Sequence, residues 1–147
     1  MNMDLIRDLF ARDRYAAHSG IELVSVAPGQ ATARMVIQPC HLNGFGTVQG
    51  GAIFTLADFA FAAASNAQGQ AAVAINVSIS FMTAARTGTL TANARELSKN
   101  SKTGAYTVDI VDDQGRMVAV FQGLVFRKRE TVEEMMALVT QAAQQQQ

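Results

Sequence analysis

The sequence predicts an α+β fold in which an antiparallel sheet wraps around one long central helix. Three observations point there. Residues 50–66, "GGAIFTLADFAFAAASN", form an Ala-rich run apolar at nearly every position, with a single acid, Asp58. Such a helix has no polar face to show to water and must be buried. Strand-like segments flank it, two before and four in succession after, separated by turn dipeptides. A sheet with one apolar face and a helix apolar all round each satisfy what the other lacks.

The elements follow in order. Residues 4–17 read as a first helix, with Leu5, Leu9, Ile6 and Phe10 on an apolar side and Gly20 as its stop. "IELVSVAP" and "QATARMVIQP" read as two strands joined at Pro28-Gly29; in the second, Ala31, Ala33, Met35 and Ile37 alternate with Thr32, Arg34, Val36 and Gln38. The loop "CHLNGFGTVQG" leads into the central helix. The later strands are "AAVAINVSISFMT", "GTLTANARELSKN", "GAYTVDIVDD" and "RMVAVFQGLVFRKR", read as one run of consecutive antiparallel strands. Thr87-Gly88 and residues 98–104 mark reversals, and Asp112-Asp113-Gln114-Gly115 is a hairpin turn. The end, "TVEEMMALVTQAAQ", reads as a short amphipathic helix capped by Thr131, with Glu133 and Glu134 in its first turn. One domain over 1–147 is expected: a helix in 1–19, the core in 20–129, a helix and tail in 130–147. A single sheet round one helix leaves open edges, so pairing between two chains, a dimer at least, is expected.

Composition narrows function. Of 147 residues, 49% are apolar and 16% charged, with formal net charge +0. A neutral chain argues against nucleic acid as the main partner, which favours a strongly basic face. No apolar run reaches the length of a membrane span, and the first twenty residues lack the apolar centre of a signal peptide. The single cysteine, Cys40, has no internal partner, which points to a reducing cytoplasm.

Several residues can carry chemistry. Gly50 and Gly51 stand where loop becomes helix, where free N–H groups and a partial positive charge meet an approaching group. They serve either as a tight helix start or as an oxyanion hole. Asp58 lies seven residues after Gly51, near two helical turns, on a similar side. No Lys or Arg lies between Gly46 and Thr83 to pair with it. Its carboxylate therefore needs a hydrogen-bonded pocket, a second chain, or a role as general base or nucleophile. Asn43 either donates to a substrate carbonyl or braces its own loop as an Asx-turn. Arg86, Lys99 and Lys102, with Arg127, Lys128 and Arg129, sit at strand ends, as a solvated rim or as contacts for the phosphates of a nucleotide-bearing ligand. His18 and His41 form no cluster with metal-ligand spacing, and no nucleophile-elbow, P-loop or dinucleotide motif is present.

The stretch "HLNGFGTVQGGAIFTLADFAFAAASN" resembles the hotdog-fold acyl-CoA thioesterases of the phenylacetate-degradation (PaaI-like) group. Their signature is an Asn, then G-x-x-H-G-G, then an acid nine residues after that His in an A-D-x-A setting. Asn43, Gly46, Gly50, Gly51 and Asp58 match it, and "VSISFMTAARTG" is similar to the strand and turn that follow. The resemblance covers residues 20–129. It implies a hotdog fold and hydrolysis of acyl-CoA without metal or organic cofactor. Asp58 would activate water or attack the carbonyl. The N–H of Gly50, with that of Gly51, would polarise the carbonyl, and Asn43 would position it. It also implies a site between two subunits and a tetramer of paired dimers. Gln49 departs from the pattern: it replaces the His before Gly-Gly and cannot titrate. Some members hold water with a group from the strand after the helix, for which Asn76 and Ser78 are the candidates. Two other functions fit the resemblance: an acyl-CoA binder without catalysis, and a hydratase or dehydratase, which would need a His that this chain does not place there. The alanines at 57, 60, 62 and 64 suggest room for an acyl group whose class the sequence leaves open.

Overall fold

The computed structural model describes residues 2–146. In chain order its elements are α1 (Met3–Ala11), α2 (Arg14–His18), β1 (Ile21–Ala27), β2 (Gln30–Val36), α3 (Gly50–Asn66), β3 (Gln70–Phe81), β4 (Thr89–Lys99), β5 (Thr103–Val111), β6 (Met117–Thr131) and α4 (Val132–Gln145). A single 3₁₀ turn at Pro39–His41 opens the loop ahead of α3.

The expected first helix is two helices. The side chain of Asp13 accepts the Ala16 N–H at 2.9 Å, and the Arg12 N–H folds back on Leu9 O at 3.1 Å. An Asp that caps a new helix competes with continuation of the old one. The six strands form one antiparallel sheet in the order β1-β2-β4-β5-β6-β3. The four later strands are thus not neighbours in sequence order: β3 leaves β4 and pairs with the far side of β6. The reason is side-chain register. Leu90, Ala92 and Ala94 of β4 stand opposite Met35, Ala33 and Ala31 of β2, so that all six point into the core. β6 is apolar enough to lie between two strands, whereas β3 is exposed over most of its length and takes the edge.

The sheet curls around α3. Leu56, Ala57, Ala60, Ala63 and Ala64 are buried on it, and the four alanines let the helix axis come close. The large exception is Phe61. Its ring meets Tyr106 edge-on at 5.7 Å and Phe121 at a tilt at 5.4 Å, and it fits because β6 offers Gly123 beside it. A Cβ at 123 would come 2.5–2.8 Å from three atoms of that ring.

α3 is not buried on every side. Gly51, Thr55, Asp58 and Ala62, spaced four, three and four apart, form one stripe left partly open. The helices at the chain ends dock beside it: Phe10 of α1 meets Phe59 edge to face at 5.4 Å, and α4 starts from a capping box between Thr131 and Glu134.

Candidate active site

The loop before α3 is held from three directions. Asn43 Oδ1 accepts the N–H groups of Phe45 at 2.9 Å and Thr47 at 3.2 Å, and its Nδ2 donates to Thr47 Oγ1 at 2.9 Å. The Asn43 side chain is therefore spent on its own loop, as an Asx-turn residue is. The buried His41 ring accepts the Gln38 N–H at Nδ1 (3.0 Å) and donates from Nε2 to the Ser19 carbonyl (2.7 Å), tying the loop to the end of α2. The Val48 N–H donates to Ala85 O at 2.8 Å, tying it also to the segment before β4.

This bracing fixes the start of α3. Gln49 is its N-cap, and Gln49 Oε1 accepts the Gly51 N–H at 3.1 Å. The Gly50 N–H makes no hydrogen bond among the described residues and sits at the positive end of the helix. Of the two sequence-predicted donors, one is thus capped from within and one is free. A Cβ at position 50 would approach the Phe81 ring to 3.0 Å, so glycine also lets β3 pass close. A cleft of about 420 Å³ opens beside this end, walled by Tyr15, Cys40, Asn43, Gln49, Gly51 and Thr55.

Asp58 stands two turns on, half-buried on the open stripe, with no hydrogen-bond partner among the described residues. Burial raises its pKa above the ordinary carboxylate range, and the neighbouring Asp13 carboxylate raises it further. Asp13 is the residue that sequence reasoning missed. Its capping role is written locally, in an Asp before a short helix, but its approach to Asp58 depends on how α2 docks.

The other expected residues separate. β3 runs back along α3, with the Ala72 N–H on Asn66 Oδ1 (2.9 Å) at one end and Phe81 against Gly50 at the other. Asn76 and Ser78, both exposed, therefore pass beside the middle of α3, where Thr55 and Asp58 lie. Arg86 is exposed next to Ala85, at the Gly50 end. Lys99 donates to Gln68 Oε1 at the opposite end, and Lys102 sits in the adjoining turn. Sixteen residues of helix, roughly 24 Å, separate these lysines from Gly50, so one chain does not gather the three cations. Of the four alanines, Ala57, Ala60 and Ala64 are fully buried; Ala62 alone faces open space. Phe59 and Phe61 are core residues, and Phe54 packs on Phe121 at 5.5 Å. Among the described residues no three His, Cys, Asp or Glu side chains group as metal ligands would, and no helix is long and apolar enough to cross a membrane.

A sheet wrapped round a helix, with a glycine-started helix N-terminus and an acid on the same helix, defines the hotdog class of thioester-processing proteins. The thioesterase superfamily model matches residues 45–119. The chain is 38% identical over 125 residues to the acyl-coenzyme A thioesterase PaaI of Escherichia coli, covering 84% of this chain and 89% of that one. It superposes on the structure of that PaaI protein with a TM-score of 0.84 at 37% identity, over 88% of this chain and 94% of the other. Acyl-coenzyme A thioesterase 13 of Homo sapiens is 32% identical over 103 residues, 67% of this chain and 74% of its own. A Streptococcus mutans protein bound to acetyl-CoA superposes at TM-score 0.71 and 25% identity, over 74% and 88%. The chain belongs to the thioesterase superfamily, and its fold is the hotdog fold that the sequence resemblance implied. α1, α2 and α4 lie outside the span matched by the family model.

Proposed function

We propose that this protein hydrolyses acyl-CoA thioesters at sites shared by two copies of the chain. The observation that carries the reading is an unpaired, half-buried carboxylate, Asp58, on the same open helical stripe as a helix N-terminus whose Gly50 N–H is free. The likeness to acyl-CoA thioesterases supports the substrate class. Eight residues of helix, about 12 Å along the axis, separate Gly50 from Asp58. One thioester carbonyl cannot touch both within a chain. Two α3 stripes laid antiparallel bring Asp58 of one copy to Gly50 of the other. The exposed β3 edge, with no Lys or Pro and with Val73, Ile75 and Phe81 outward, is the surface that such pairing would cover. Two such dimers would form a tetramer.

The chemistry follows. The carbonyl oxygen accepts the Gly50 N–H, and charge developing on it is stabilised by the helix end. Asp58 takes a proton from water as the water oxygen bonds to the carbonyl carbon. A raised pKa makes it a stronger base than an ordinary carboxylate. The tetrahedral adduct collapses by breaking the C–S bond, and CoA leaves as a thiolate. Thiols ionise near pH 8.5, about, so the leaving group needs no strong acid, which fits a non-titrating Gln at 49. Asn43 acts by holding the loop, Gln49 and Gly51 by forming the helix start, and Asn76 or Ser78 of β3 by holding water. Arg86 of one copy with Lys99 and Lys102 of the other would receive the CoA phosphates.

The second reading, an acyl-CoA binder, is favoured by one observation: Gln49 occupies the Gly51 N–H, leaving a single donor. Release of free CoA thiol from an acyl-CoA panel, wild type beside Asp58→Asn, decides between them. Hydrolysis lost in a variant that still assembles supports the enzyme. Binding without hydrolysis in the wild type supports the binder.

A further inference from the structure

We propose that the apolar groove between α1, the end of α3 and α4 is the subsite for the acyl tail, and that it takes aliphatic chains. This rests on the reading of Asp58 as the acid beside the thioester. The groove, about 460 Å³, is walled by Leu9, Phe10, Ala62, Met135, Met136 and Val139. That volume lies within the range of small-molecule sites.

Three observations name the occupant. The first is continuity: Ala62 is one helical turn beyond Asp58 on the open stripe, so a carbonyl beside Asp58 has its acyl substituent pointing along α3 into the groove or away from it into the Gly50 cleft. The cleft is walled largely by polar groups, Asn43, Gln49 and Thr55 among them; the groove is mostly apolar, with Arg12, Asp13, Asn66 and Lys128 as its polar members. Asp13, beside α1, also lines the groove wall. The second is polar satisfaction. Asn66, at the groove base, donates to Ala62 O (2.9 Å) and Ala72 O (3.2 Å) and accepts the Ala72 N–H (2.9 Å). An alkyl chain over the groove base therefore leaves the Asn66 amide fully paired. The third is shape and softness. The α4 wall runs from Val132 to Val139, about 10 Å, and two methionines in it adapt to a flexible ligand.

The test is binding, so that it stands apart from turnover. Affinities of straight-chain acyl-CoAs from butyryl to decanoyl are measured by calorimetry on Asp58→Asn protein, which holds the substrate without hydrolysing it. Each added methylene buried in the groove raises affinity about fourfold. Met136→Lys flattens that slope, and Ala62→Leu stops it at a shorter chain. A slope near zero, or one unchanged in both variants, overturns the proposal whatever the hydrolysis assay returns. So does a Met136→Lys protein that loses self-association while keeping the slope. In that case the groove holds a second copy, whose exposed Phe45 loop is the fitting occupant.

Discussion

Gly123→Ala turns the packing of α3 on the sheet into a number. In a strand interior, alanine normally outperforms glycine by about 0.5–1 kcal/mol. Here the new Cβ meets three Phe61 ring atoms at 2.5–2.8 Å, against ordinary carbon contacts of about 3.5–4.0 Å. The overlap is about 1 Å, and the ring has nowhere to go. Phe61 is 1% exposed, and Tyr106 and Phe121, which pack against it, are also buried. Overpacking of this kind costs about 1–3 kcal/mol, so the clash outweighs the propensity gain and a net loss of about 1–2 kcal/mol is expected. For a chain of this size that lowers Tm by about 2–8 °C. Urea unfolding at fixed protein concentration, run on Gly123→Ala, Phe61→Leu and the double variant, measures it. In the Phe61→Leu background the alanine should cost little, because leucine lacks the ring atoms that clash. A neutral or stabilising Gly123→Ala, or an equal cost in both backgrounds, refutes the reasoning.

Three further outcomes concern the site and the edge beside it. The folded-state pKa of Asp58 lies above its unfolded value, so between the two the folded chain binds more protons and stability falls as pH rises through that window. Asp58→Asn removes the fall: its urea midpoint should exceed the wild-type midpoint at neutral pH and converge with it in acid. Asp13→Asn keeps the α2 cap, since Asn caps as well as Asp, but removes the like charge; the acidic limb of kcat/KM should move to lower pH, and an unmoved limb would show that Asp13 does not act on the base. Ile75, 54% exposed at the irregularity in the β3–β6 register, lies on the free edge. Ile75→Lys should yield a monomer by sedimentation and abolish hydrolysis, and a dimeric, active variant would move the shared site elsewhere.

Much of this architecture was legible because its determinants are local. The limits of α3 follow from the glycine pair and the end of the apolar run. β2 shows its inward face as Ala31, Ala33 and Met35, and the Asp112–Gly115 turn needs only its own residues. What escaped is set by contacts between distant segments. The break between α1 and α2 needed Asp13 weighed as a cap within an otherwise helical pattern. The place of β3 beyond β6 depends on β4 matching β2 better. The open stripe on α3 is invisible in a run apolar on all sides, since composition cannot say which alanines face a sheet. For the site, the helix start and the acid were readable as residue types at a spacing. That Asn43 spends its side chain on the loop, that Gln49 covers Gly51, and that Asp13 stands near Asp58 are facts of tertiary placement.

The His41 link has a consequence for how such a chain can be shortened. The family model matches residues 45–119, which invites trimming the first twenty residues as an appendage. Yet Ser19 O, at the end of α2, is the acceptor that seats the His41 ring, and His41 O in turn receives the Gln49 N–H at 2.8 Å. Two hydrogen bonds in series thus run from the N-terminal segment to the residue that starts α3. Cutting at Gly20 would spare every residue of the signature motif and still unlatch the helix start. A minimal version of this protein must keep Ser19 and the α2 turn that positions it, although no residue of the motif lies there.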